Sequence, residues 1–138
     1  TLRESVRQFS LVTGATAGGD LDLDWTALAA PGQAFAIYMG VRTVRSLRQN
    51  LLLAGAAATL PVVVVENGTR PDELAVATTL GDLVEAIGAY GIEGPAIIFG
   101  GLAWGDANLT MPEKVNVYSA AADRAGEAVR AVAAADAI

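Results

Sequence analysis

Leu60-Pro61-Val62-Val63-Val64-Val65-Glu66-Asn67-Gly68-Thr69-Arg70-Pro71 is the stretch on which the fold turns. Four consecutive valines place β-branched side chains on both faces of an extended segment, which suits a central strand covered on both sides. Each buried valine contributes roughly 1.5–3 kcal/mol, so this strand should anchor the core. Pro61 can open such a strand but not continue one. Asn67-Gly68 and Pro71 then end it in a turn-rich loop over residues 67–71.

Working outward, strand and helix signals alternate. Residues 6–12 read as a first strand closed by a turn at Thr13-Gly14. Residues 14–24 read as a Gly- and Asp-rich loop, and Asp24 as the N-cap of a short helical turn ending at Leu28. After the Pro31-Gly32 turn, residues 33–39 form an apolar run of strand length. The period then changes: Val41, Val44, Leu47 and Leu51 share one face of a helix over 41–54, with Gly55 as its stop. Downstream come a strand over 73–79, a helix over 80–90 and a buried strand over 96–99. Residues 100–112 read as a loop, and 119–137 as an Ala-rich helix capped near Ser119. This alternation predicts a three-layer α/β domain.

The composition excludes several function classes. Of 138 residues, 53% are hydrophobic and 17% charged, which is the balance of a folded domain and not of a disordered chain. With no cysteine and no histidine, thiol nucleophiles, disulfides, Cys/His zinc sites and histidine bases are unavailable. A net charge of -6 with Lys114 as the one lysine argues against a nucleic-acid partner. The apolar runs at 51–58 and 60–65 are too short to span a bilayer, so no membrane partner is expected. No signal-peptide pattern opens the sequence, and a cytoplasmic location is expected. The sequence opens on Thr1, so residues upstream are expected. The sequons at Asn67 and Asn108 are then matters of chance.

Few motifs carry chemistry. The glycines of 14–19 and 100–105 lack the G-x-G-x-x-G spacing and any Gly-Lys-Ser/Thr, and read as turns. Asp20, Asp22 and Asp24 lack the twelve-position calcium pattern and read as an exposed loop. Arg42, Arg45 and Arg48 form a basic stripe, either a solvated helix face or a receiver of carboxylates. Glu66, following the valines, requires hydrogen-bond partners if buried. Ligands of open α/β sheets bind beyond the carboxyl ends of parallel strands. If strands 33–39 and 62–66 are parallel, Tyr38-Met39-Gly40 and Glu66-Asn67-Gly68-Thr69 lie on one edge. There Gly40 and Gly68 would admit a ligand to the backbone, and Met39 would either pack on a flat ring or sulfonium group or simply fill the core.

Six segments, in order, complete the pattern: Leu11-Val12-Thr13-Gly14, Asp24-Trp25-Thr26-Ala27-Leu28-Ala29, Ile37-Tyr38-Met39-Gly40-Val41, Val64-Val65-Glu66-Asn67-Gly68-Thr69-Arg70-Pro71-Asp72, Thr79-Leu80-Gly81-Asp82-Leu83 and Gly94-Pro95-Ala96-Ile97-Ile98. Over residues 1–102 the chain resembles the C-terminal half of uroporphyrinogen-III C-methyltransferases, including the methylase module of sirohaem synthases. Residues 103–138 would be an extension. The resemblance implies a mixed five-stranded sheet and a homodimer. It also implies an S-adenosylmethionine cleft shared with an N-terminal lobe of the same enzyme, and a tetrapyrrole substrate. It places Met39 and Gly68 at the cofactor, with Asn67, Thr69, Pro95 and Ala96 beside them, and no catalytic residue on this lobe. The family's usual His after Val-Thr-Gly is Ala15 here, and Phe99-Gly100-Gly101-Leu102-Ala103-Trp104 replaces its usual ending. Isolated, the lobe is expected to be inactive. The alternatives are a drifted, non-catalytic binding module and a methyltransferase acting on another precorrin.

Overall fold

The computed structural model of the chain describes residues 6–18 and 21–102. The expected extension 103–138, with its loop and Ala-rich helix, lies outside the described residues. In chain order the elements are β1 (Gln8–Thr13), α1 (Trp25–Leu28), β2 (Gln33–Tyr38), α2 (Val44–Leu53), β3 (Pro61–Glu66), β4 (Leu74–Thr79), α3 (Leu83–Ala89) and β5 (Ala96–Gly100).

The five strands form one mixed sheet in the order β1-β2-β5-β3-β4. β1 and β2 are parallel. β5 runs antiparallel to both of its neighbours, β2 and β3, so β2 and β3 point the same way on either side of it. β4 returns antiparallel to β3, with Glu66 opposite Leu74.

Side-chain alternation sorts the sheet into two faces. Phe35, Ile37, Val62, Val64, Leu74, Val76 and Ile98 share one buried cluster with Leu28, Leu47, Leu51, Leu83 and Ile87 of the helices. All three helices therefore cover the same face. Among the described residues the helices lie over Val62 and Val64 of the valine strand, and Val63 on its other face is buried as well. On the opposite face Phe9, Leu11, Tyr38 and Ile97 are exposed.

Local chemistry explains the boundaries. Asp24 caps α1 as expected, accepting a hydrogen bond from the Ala27 amide at 3.0 Å. α2 ends at Gly55, whose φ of 101° permits the two bonds Gly55 N–H to Leu52 O and Ala56 N–H to Leu51 O. α2 starts three residues later than its apolar spacing implies. Thr43 N–H bonds to Gly40 O, which makes the segment after β2 a turn. α3 likewise starts at Leu83 and not at residue 80. The amides of Leu80 and Gly81 bond to Leu60 O and Ala58 O, so these residues still belong to the strand exit.

Candidate cofactor-binding rim

Register fixes the site. Tyr38 on β2 and Val65 on β3 both pair with Ile97 on β5. The carboxyl ends of β2 and β3 therefore reach the same edge, and the antiparallel β5 begins there. Met39, the 67–69 turn and Pro95-Ala96 are brought together by these three strand ends. Met39, Asn67, Gly68, Thr69, Pro95 and Ala96 all line one depression of about 570 Å³. Its floor is apolar, made by Tyr38, Val65, Ile97 and Phe99, and Arg70 and Glu73 add charge at its margin.

The backbone of this rim is unusual. Met39, Asn67 and Thr69 have φ values of 58°, 51° and 67°, and they are the left-handed non-glycine residues among those described. Asparagine adopts this region readily, whereas a β-branched threonine does so rarely. Such residues cost about 1–3 kcal/mol each and persist where the surroundings over-determine them.

Several bonds do so here. The Asn67 amide donates to Pro95 O at 2.9 Å, and Asn67 Nδ2 donates to Asp72 Oδ2 at 2.9 Å. The Thr69 amide donates to Glu73 Oε2 at 2.5 Å. Beneath the rim, Glu66 is wholly buried. Its Oε1 accepts from the Glu93 and Gly94 amides at 2.9 and 2.7 Å. The hydrogen bonds that the sequence demanded of a buried Glu66 thus tie β3 to the turn before β5.

Met39 is 58% exposed and points out of the core, which disposes of a mere filling role. Gly68 is exposed, and a Cβ there would meet the Val65 side chain at 3.3 Å and Glu73 Oε2 at 3.9 Å. Gly40 differs from its expected part. It is buried, and a Cβ on it would press against Leu47, Ile37 and Ile98 at 2.9–3.2 Å. It serves packing, not ligand access. Gly14 is its counterpart: a Cβ on Gly14 would lie 2.5 Å from the Gly40 Cα. Gly14 was legible only as a turn residue, yet its amide extends the ladder to Tyr38 O at 2.7 Å.

A second depression, of about 430 Å³, lies across the ridge formed by Met39, Pro95 and Ala96, and Ala15, Arg42 and Glu93 line it. The arginine stripe is split. Arg48 pairs with Glu85 at 2.9 Å and donates to Gly81 O at 3.0 Å, while Arg42 stands at the rim. Among the described residues no group of three or more His, Cys, Asp or Glu is placed to hold a metal ion. No helix there is long and apolar enough to cross a membrane.

The family model for Tetrapyrrole (Corrin/Porphyrin) Methylases matches residues 2–84. The chain belongs to the tetrapyrrole methylases. This methylase chain is 40% identical over 102 residues to the siroheme synthase of Gluconacetobacter diazotrophicus, covering 73% of this chain and 22% of that protein. It is 38% identical over 101 residues to siroheme synthase 3 of Aeromonas hydrophila, covering 73% and 21%. The chain thus spans about a fifth of the length of the curated relatives it matches.

Among solved structures it superposes on a cobalt precorrin-4 methyltransferase of cobalamin biosynthesis with a TM-score of 0.65 at 27% identity, covering 73% of this chain and 43% of that one. It superposes on the uroporphyrin-III C-methyl transferase of Thermus thermophilus, complexed with S-adenyl homocysteine, with a TM-score of 0.63 at 26% identity, covering 74% and 45%. The mixed five-stranded sheet is the tetrapyrrole methylase one.

Proposed function

We propose that this chain supplies the C-terminal wall of the S-adenosylmethionine site in a uroporphyrinogen-III C-methyltransferase acting in sirohaem and cobalamin biosynthesis. The observation that carries the reading is the convergence of three left-handed non-glycine residues, Met39, Asn67 and Thr69, on one depression. Backbone held in such conformations gathers at ligand clamps.

The residues present fit this cofactor. An apolar floor with a polar margin suits a ligand that combines a flat ring with charged ends. Met39 offers a polarisable thioether to a ring or sulfonium group. Gly68 leaves the backbone open to close approach, and Asn67 and Thr69 set polar groups beside it. Pro95 and Ala96 close the depression at the ridge. When bound, the cofactor supplies a methyl group activated on a sulfonium centre. The chain's own part is to bind and orient, because methyl transfer depends on holding donor and acceptor in line.

The rim is half of a cleft. The other half would come from an N-terminal lobe of the same enzyme, in a homodimer, with the tetrapyrrole between the lobes. On this reading the 138-residue chain alone gives no turnover. The decisive experiment is a pair of measurements on the full-length protein. S-adenosylhomocysteine should bind by calorimetry, and methylated product should form from uroporphyrinogen III. Wild-type affinity for the homologue in Met39→Ala and Gly68→Val would remove these residues from the site, and the reading with them.

The likeness to the cobalt precorrin-4 methyltransferase favours a second reading, with the same cofactor wall and a different acceptor. Parallel assays with uroporphyrinogen III and precorrin acceptors decide between them by which one turns over.

A further inference from the structure

Two depressions share one ridge. Met39, Pro95 and Ala96 line both the depression assigned above to the methyl donor and its 430 Å³ neighbour. Direct methyl transfer needs donor and acceptor atoms about 3–3.5 Å apart. An acceptor seated against the second depression would lie beside a donor in the first. Arg42 is the one cation lining that second depression, and Glu93 the one carboxylate.

We propose that Arg42 receives a peripheral carboxylate of the tetrapyrrole acceptor. The proposal rests on the methyltransferase reading and goes beyond it by naming a residue for the acceptor.

The three arginines of the stripe meet different fates. Arg48 is committed to Glu85 and Gly81 O. Arg45 lines, together with Arg48, Gln49, Leu52 and Leu53, a separate depression that does not include Arg42. Arg42 is exposed, and the one ion pair among the described residues does not involve it.

Its backbone is nevertheless held. The next residue, Thr43, donates its hydroxyl to Gly14 O at 2.6 Å, and its amide bonds to Gly40 O at 3.2 Å. Arg42 is thus a free guanidinium on a fixed base, beside the ridge where acceptor meets donor. Ala15 presents only a methyl group to the same depression, so it offers no competing charge. A porphyrinogen carries carboxylate side chains around its edge, and the guanidinium fork matches a carboxylate bidentately. Glu93 opposes the same carboxylate and sets a limit on affinity.

The test uses the full-length enzyme and its Arg42→Ala, Arg42→Lys and Glu93→Gln variants, with an octacarboxylate and a tetracarboxylate porphyrinogen as acceptors. Loss of one charge-assisted bidentate contact should raise the acceptor KM of Arg42→Ala about tenfold. The affinity for S-adenosylhomocysteine, read by calorimetry, should not change. Arg42→Lys should recover part of the loss, and Glu93→Gln should lower the acceptor KM. The penalty in Arg42→Ala should be larger for the octacarboxylate.

An acceptor KM within twofold of wild type in Arg42→Ala, while the wild type methylates and binds the homologue, would overturn the assignment of Arg42 alone. Equal loss of homologue affinity in that variant would also overturn it, by moving Arg42 to the donor side. A wild-type enzyme that neither binds the homologue nor methylates would instead bring down the underlying functional reading.

Discussion

The Oε1 atom of Glu66 lies 2.7 Å from the backbone nitrogen of Gly94. A wholly buried carboxylate at the end of β3 thereby holds the turn that delivers Pro95 and Ala96 to the rim. The Asn67 amide answers from the next residue by bonding to Pro95 O. Reciprocal bonds of this kind fix a loop more firmly than either alone, because each removes a different direction of escape.

Glu66→Ala should therefore strand two backbone donors at once. Each unsatisfied donor costs about 1–3 kcal/mol when buried, and these two are partly so. Urea unfolding should show a loss of about 2–4 kcal/mol, with Glu66→Gln losing less because one acceptor oxygen remains. An unchanged unfolding midpoint in the alanine variant would remove the strut from the description of the rim.

Gly14 and Gly40 pack back to back, so Gly14→Ala should destabilise the fold by about 1–3 kcal/mol. The clash is with backbone, which cannot swing aside as a side chain can. Gly68→Ala meets side chains alone, Val65 at 3.3 Å and Glu73 at 3.9 Å, and should unfold close to the wild-type temperature. Thermal unfolding of the pair separates a glycine needed for packing from one available to a ligand.

Thr69→Gly should stabilise the isolated domain by up to about 1 kcal/mol, since it relieves a left-handed β-branched residue and retains the amide that bonds to Glu73. The same change should weaken homologue binding in the full-length protein by loosening the clamp. A variant both more stable and equally tight in binding would show that the strain has no part in recognition.

The Arg48–Glu85 pair gives a pH-dependent contribution of known sign. Its own backbone hydrogen bond first, and the Arg48 guanidinium second, hold the Glu85 carboxyl below the usual glutamate range. A depressed carboxylate contributes stability above its unfolded pKa, and the contribution fades as pH falls through the folded value. Glu85→Gln should match wild type in strong acid and fall slightly below it at neutral pH. Glu85 is exposed and Arg48 half-buried, so the difference should shrink in high salt. Chemical unfolding at a series of pH values reads it.

The isolated chain should self-associate, since Phe9, Leu11, Tyr38 and Ile97 present apolar surface on one sheet face. Leu11, at 63% exposed, is the outermost. Leu11→Ser should lower the apparent mass by light scattering at high concentration. A monodisperse wild-type monomer under the same conditions would contradict the expectation.

The sequence by itself determined whatever depends on neighbours along the chain. The valine strand, the α2 face, the Asp24 cap and the Gly55 stop follow from periodicity and backbone preference, which act over a few residues. The motif segments likewise marked the six rim residues. Only the tertiary structure decided that β5 enters antiparallel between β2 and β3. That insertion carries Pro95 and Ala96 to the edge where Met39 and Gly68 stand. It also separates Gly40, buried against Gly14, from Gly68, open to solvent, although both read alike as glycines at strand ends. Strand order and burial depend on contacts between residues far apart in the chain, and local pattern carries no record of which distant partner a strand will find.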